Sequence, residues 1–218
     1  MGAAGSVSAV LEQLRSLKIV PLIVIDDPDK AEPLARALQY GGIPCAEIAF
    51  RTPAAVEALR TIAAEQPEVL VGAGTVLTVT QAVEARRAGA RFVVSPGLSR
   101  PVVEYCREHG VPVFPGACTP TDVTAAVELG LKVLKFFPAE PIGGLTYLKA
   151  LAAPFPDIEF IPTGGVSASN LGAYLAFKPV VACGGSWMAP QRWIAAGDFD
   201  RVRRAVEQAA RLARQAEA

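Results

Sequence analysis

Eight short apolar runs, each followed by a stretch with helical spacing, recur along the 218-residue chain, and this repeat constrains the fold more tightly than any other feature. The runs begin near Lys18 (IVPLIVI), Cys45 (AEIAF), Glu68 (VLVGAGT), Arg91 (FVVSP), Pro112 (VFPG), Lys132 (VLKFFP), Glu159 (FIPTGG) and Val180 (VACGG). Between them lie segments such as KAEPLARALQYGG, VTQAVEARRAGA and TDVTAAVELG, with apolar residues three and four apart and a Gly at or near the end, the usual helix stop. The runs are continuous rather than alternating, as parallel strands covered by helices are. Eight such units, an extra leading helix over about residues 8–17 and no break in composition predict an α/β fold. The expected architecture is a closed (β/α)8 TIM barrel, a single domain over residues 1–218 with the barrel from about residue 18, rather than an open doubly wound sheet.

Composition narrows the partners. Half of the chain is hydrophobic (51%), which separates it from disordered sequences, and 21 Lys+Arg balance 21 Asp+Glu. Without a basic run, the electrostatic footprint of a nucleic-acid binder is missing, so small molecules are the expected partners. No stretch reaches the roughly 18 uninterrupted apolar residues of a membrane helix, so no membrane partner is expected. Cys45, Cys106, Cys118 and Cys183 form no C-x-x-C pair, and Cys45 and Cys183 sit in apolar runs, the pattern of reduced thiols in a cytoplasmic protein.

In such barrels the chemistry gathers at the C-terminal ends of the strands. Two strands carry charges that an apolar run should not contain: Glu47 and Arg51 in CAEIAFR, and Lys135 in KVLKFFP. Period two sends Glu47 and Arg51 to the face opposite Ile48 and Phe50, and Lys135 to the face opposite Leu134 and Phe136. That parity predicts all three inside the barrel near its open mouth. Charges withdrawn from water cost several kcal/mol unless compensated, so the set is an inert ion pair, a functional one, or both. Of six lysines, Lys135 alone lies well into a strand. Burial among aromatics can lower a lysine pKa by several units, and a neutral amine is a nucleophile toward carbonyls.

Two strand ends are glycine pairs, Thr163-Gly164-Gly165 after the seventh run and Gly184-Gly185-Ser186-Trp187 after the eighth. Tight turns alone would explain one pair. Two of them at the loops where barrels commonly bind phosphate point to an anion site, with backbone N–H groups and the Ser186 hydroxyl as donors. Thr75 after VGAG and Pro96 in VSPG also stand at strand ends, where turn chemistry is the ordinary reading. His109 is the only histidine and precedes Gly110 at a helix end, so neither a zinc site nor a histidine-based nucleophile is expected.

In order, PLIVI, AEIAFRT, VGAGTV, SPGL, PVFPGACTPTD, KFFPAE, PTGGV and GGSW resemble the 2-keto-3-deoxy-6-phosphogluconate (KDPG) and 4-hydroxy-2-oxoglutarate (KHG) aldolase family, over roughly Leu17 to Pro190. The resemblance implies a class I, metal-independent carbon–carbon lyase that uses no cofactor, usually as a homotrimer. It implies Lys135 as the Schiff-base lysine and Glu47 as the general acid/base. Arg51 and Thr75 would hold the pyruvate carboxylate, and Pro96 and Phe137 would line the pocket. Thr163, Gly164, Gly165, Gly184, Gly185 and Ser186 would serve the phosphate end of a phosphorylated keto acid. Many members carry Thr between the strand-two Glu and Arg where this chain has Ala49, a departure that bears on pocket polarity.

Three other readings compete. The same chemistry could act on unphosphorylated 4-hydroxy-2-oxoglutarate, giving pyruvate and glyoxylate. A phosphate-sugar isomerase or epimerase would share the barrel and anion loops, but such enzymes lean on histidines or metals. A non-enzymatic barrel binding a phosphorylated metabolite would keep Glu47 and Lys135 as an inert pair.

Overall fold

The computed structural model describes residues 3–216, so the outermost residues of the expected 1–218 unit lie outside the described residues. Helix α1 (Ala3–Leu17) leads into β1 (Ile19–Ile23) and α2 (Ala31–Tyr40). Strand β2 (Cys45–Ala49) is followed by α3 (Ala55–Glu65), β3 (Leu70–Gly74) by α4 (Val79–Arg87), and β4 (Val93–Val94) by α5 (Arg100–Glu108). Next come β5 (Val113–Phe114), β6 (Gly116–Ala117) and α6 (Pro120–Glu128), then β7 (Val133–Phe136) and α7 (Gly144–Ala152). The chain closes with β8 (Glu159–Pro162), α8 (Leu171–Leu175), β9 (Cys183–Gly185), a short α9 (Gln191–Ala195) and a long α10 (Phe199–Gln215).

The strand pairs are parallel and fall into two runs, β5-β4-β3-β2-β1-β9 and β6-β7-β8. Two seams close them into a barrel with eight strand positions. At one, the expected fifth strand is split into β5 and β6, because Pro115 between them has no N–H to continue the ladder. The Pro115 carbonyl still accepts from Lys135 N at 2.9 Å, so the two halves remain one wall. At the other, single bridges Phe160↔Val180 and Thr163↔Gly184 join β8 to β9.

The sequence punctuation works as read. Positive-φ glycines follow α4 and α5 at Gly89 and Gly110, and Thr119 and Asp122 form a reciprocal capping box at the start of α6. The leading helix is longer than its expected 8–17 and closes the barrel's N-terminal end. Leu14, fully buried, enters the same interior space as Val20, Phe92, Phe114 and Ile161, and the Arg15 guanidinium pairs with Glu159 at the start of β8. Burying a leucine contributes about 1.5–3 kcal/mol, so this contact fixes the helix as a floor. Among the described residues no helix is long and apolar enough to cross a membrane, and all four cysteines are free.

Candidate active site

The period-two reading of β2 and β7 holds for two of its three charges. Glu47 lies between Leu22 of β1 and Gly72 of β3, and Lys135 between Gly116 of β6 and Ile161 of β8. Their side chains meet inside the barrel, where Lys135 Nζ donates to Glu47 Oε1 at 3.2 Å with residue exposures of 5% and 2%. The nitrogen also stands 5.4 Å from the centre of the Phe137 ring. Below the pair Leu14, Phe92, Phe114 and Ile161 leave about 10 Å³, hardly room for one water molecule. The packing beneath the pair is therefore tight.

Glycines in β3 make that geometry possible. Gly72 and Gly74 both face inward; a Cβ at Gly72 would stand 2.4 Å from the Phe92 ring, and one at Gly74 only 2.3 Å from Glu47 Oε1. From sequence alone VGAGT reads as a plain strand with a threonine at its end. Gly72 and Gly74, two residues apart inside a strand, are the sequence signal for this contact, since strand glycines mark a close approach from a neighbour.

Arg51 departs from the expected interior position. Strand β2 ends at Ala49, so Phe50 and Arg51 belong to a turn where strand parity no longer applies, and Arg51 is exposed above the barrel. Thr75, just past β3, is half-buried with φ 57°, a left-handed conformation that a β-branched residue seldom adopts and that clusters at functional sites. Pro96, half-buried after β4, brings its carbonyl so near β6 that a Cβ at Gly116 would stand 2.0 Å from the oxygen. Ala49, the apolar departure, is buried.

The two glycine loops lie side by side on the same rim. Thr163 is buried and its side chain fills the space a Cβ at Gly184 would need, 2.3 Å from Thr163 Oγ1. Gly164 and Gly165 adopt φ of 98° and 83°, which side chains disfavour, and the Trp187 ring lies where a Gly185 side chain would project. Ser186 is exposed next to them. The glycines thus have packing reasons beyond any ligand: Gly184 and Gly185 are buried, Gly164 is half-buried and Gly165 is exposed at the rim.

Burial governs the nearby thiols. It pushes Cys45 well above its ordinary value, with the Glu47 charge adding to the effect, and pushes Cys183 up likewise, so both are inert at neutral pH. His109 caps α5, its Nδ1 2.9 Å from the Tyr105 carbonyl, far from the interior in role. A larger cavity of about 450 Å³, lined by Leu11, Arg107, Val111, Leu131 and Val133 among others, opens at the strand beginnings and includes neither Glu47 nor Lys135.

Fold and site together define a parallel α/β barrel whose mouth presents a buried lysine paired with a carboxylate, an arrangement suited to covalent chemistry on a carbonyl. Comparison with known proteins carries this further. The family profile described as KDPG and KHG aldolase matches residues 10–205. A Treponema pallidum protein named 2-dehydro-3-deoxy-phosphogluconate aldolase is 50% identical over 193 residues, 88% of this chain and 92% of that one. The KDPG aldolase of Zymomonas mobilis ZM4, solved with 3-phosphoglycerate, superposes with a TM-score of 0.87 at 36% identity, covering 94% of this chain and 96% of the other. The Legionella pneumophila KDPG aldolase, with pyruvate captured at low pH as a covalent carbinolamine, gives a TM-score of 0.87 at 35% identity over 91% and 96% of the two chains. The chain belongs to the KDPG and KHG aldolase family.

Proposed function

We propose that this chain is a class I aldolase that cleaves 2-dehydro-3-deoxy-6-phosphogluconate to pyruvate and D-glyceraldehyde 3-phosphate, with no metal or cofactor in the reaction. The observation that carries the reading is the buried contact of 3.2 Å between Lys135 Nζ and Glu47 Oε1 at the barrel mouth. The Lys135 amine attacks the C2 ketone, and Glu47 moves the protons needed to expel water and leave an iminium. As the C3–C4 bond breaks, its electron pair flows into the iminium to give an enamine, while Glu47 takes the C4 hydroxyl proton directly or through a water. Glyceraldehyde 3-phosphate departs. Glu47 then returns a proton to C3, and water hydrolyses the new iminium to release pyruvate and free Lys135.

Arg51 above the mouth and Thr75 at the end of β3 hold the substrate carboxylate, the guanidinium as a bidentate partner. Pro96 and Phe137 line the pocket. Thr163, Gly164, Gly165, Gly184, Gly185 and Ser186 receive the phosphate, a reading supported by their shared rim; that the Zymomonas relative was solved with 3-phosphoglycerate supports a phosphorylated ligand. Residues 1–218 act as one domain, in a cytoplasmic homotrimer that light scattering would test. The carbinolamine of the Legionella relative supports the covalent step.

Incubation with pyruvate and borohydride followed by peptide mapping tests the chemistry: the label is expected on Lys135, and labelling elsewhere, or none, defeats the assignment. The family description also favours a second substrate, 4-hydroxy-2-oxoglutarate, cleaved by the same residues to pyruvate and glyoxylate. Relative turnover of the two substrates, with inorganic phosphate as competitor, ranks them.

A further inference from the structure

The glycine loop after β8 is built around a side chain that the proposed reaction does not use. Glu140 follows Lys135 by five residues, in the connection between β7 and α7, and its backbone N donates to the Gly164 carbonyl at 2.9 Å. One residue earlier, Ala139 N donates to the Thr163 carbonyl at 2.8 Å. The Glu140 side chain then runs between two glycines. A Cβ at Gly165 would stand 2.5 Å from Glu140 Cβ, and one at Gly144 would stand 2.9 Å from Glu140 Oε1. Both glycines have positive φ, so each position excludes a side chain twice over, by backbone and by Glu140.

The carboxylate ends on a buried partner. The Tyr174 hydroxyl, from α8, donates to Glu140 Oε1, and Tyr174 as a whole is 1% exposed. Burial, with the hydrogen bond to Glu140 next, pushes the Tyr174 phenol well above its ordinary value, so it remains a donor at neutral pH. On the far side of the same loop Asn170 Nδ2 donates to the Gly165 carbonyl at 3.2 Å. The loop is therefore gripped from both ends, and Glu140 is the only one of these contacts to bring a charge beside the rim assigned to phosphate. A carboxylate near a dianion opposes it by Coulomb repulsion unless it is held aside.

We propose that Glu140 is a positioning residue which, anchored by Tyr174, sets the shape of the Thr163–Gly165 loop and so the preference for a phosphorylated over an unphosphorylated tail. This rests on the phosphate reading of that loop. Tyr174 does two things in this account: it completes the grip and keeps the carboxylate turned from the anion.

Steady-state kinetics on 2-dehydro-3-deoxy-6-phosphogluconate and 4-hydroxy-2-oxoglutarate, with inhibition by inorganic phosphate, test it in Glu140→Ala, Tyr174→Phe and Glu140→Gln proteins. The first two are expected to raise KM for the phosphorylated substrate and the phosphate inhibition constant by about five- to tenfold, the equivalent of one or so hydrogen bonds, with kcat on the unphosphorylated substrate unchanged. Glutamine keeps an oxygen acceptor for Tyr174 without the charge, and is expected to restore KM. Equal losses on both substrates would mean a merely structural contact, and unchanged KM in Glu140→Ala and Tyr174→Phe would remove the positioning role. A wild-type enzyme that favours neither substrate and ignores inorganic phosphate would instead overturn the phosphate reading itself, and the proposal with it.

Discussion

Glu47 reaches Lys135 through space that Gly74 leaves empty: on the neighbouring strand, a Cβ at residue 74 would stand 2.3 Å from Glu47 Oε1. The catalytic geometry proposed for the buried pair therefore depends on a residue with no functional group. Gly74 has no positive φ, so alanine meets only this steric conflict and no backbone strain. Gly74→Ala is expected to lower kcat by more than about tenfold by displacing the carboxylate, the scale of a misplaced general base. Gly97→Ala, where nothing lies within 4 Å, serves as the matched control and should leave kcat unchanged. Equal activity in both proteins would show that Glu47 can shift without cost.

Replacing the two reacting groups should separate covalent attachment from proton transfer. Lys135→Ala is expected to abolish borohydride trapping of pyruvate, with circular dichroism confirming the fold, since an unpaired buried carboxylate is destabilising. Glu47→Gln should still bind substrate but turn over at least about a hundredfold more slowly. Near-normal turnover would make Glu47 structural.

Arg51 stands exposed above the mouth, so its contribution to stability is small and its proposed contribution to binding is specific. Arg51→Lys keeps the charge and loses the two-pronged geometry. KM for either keto acid should rise about tenfold with the melting temperature unchanged. An unaltered KM would place the substrate carboxylate elsewhere.

Leu14 tests the floor. Leu14→Ala removes a fully buried side chain from beneath the ion pair and is expected to cost about 2–5 kcal/mol of unfolding free energy, read by urea titration. A loss under about 1 kcal/mol would mean that the first helix packs there only loosely.

The α6 cap has a defined pH dependence. Burial works to raise the Asp122 carboxyl, but hydrogen bonds from Cys118 and Thr119 outweigh it and hold the pKa below the ordinary carboxylate value. With a depressed folded pKa, its stabilisation is fully present above the unfolded value of about 3.9 and is lost as pH falls through the folded one. Wild type should exceed Asp122→Ala by about 1 kcal/mol at pH 7, and the gap should shrink below about pH 4. A gap that persists at pH 2 would assign the effect to packing.

Much of this is legible in the sequence. The strand-helix repeat, the glycine stops, the inward face of β2 and β7, and hence the interior positions of Glu47 and Lys135, follow from periodicities of two and 3.6 that neighbouring residues impose on one another. Arg51 escapes the strand parity because β2 ends two residues before it, and strand ends are set by partners. VFPG reads as one strand, and only the structure shows it split at Pro115 into two halves that still form one wall.

The distance between Lys135 and Glu47 belongs to another order of information. Those residues are 88 positions apart, and barrel closure alone sets how near they come. The same holds for Leu14 under the pair, Phe92 over Gly72, and Glu140 between two glycines. A chain's local pattern determines which way each side chain faces, because adjacent backbone units fix it. What each one meets there depends on long-range packing, in which every neighbour's volume decides the outcome together.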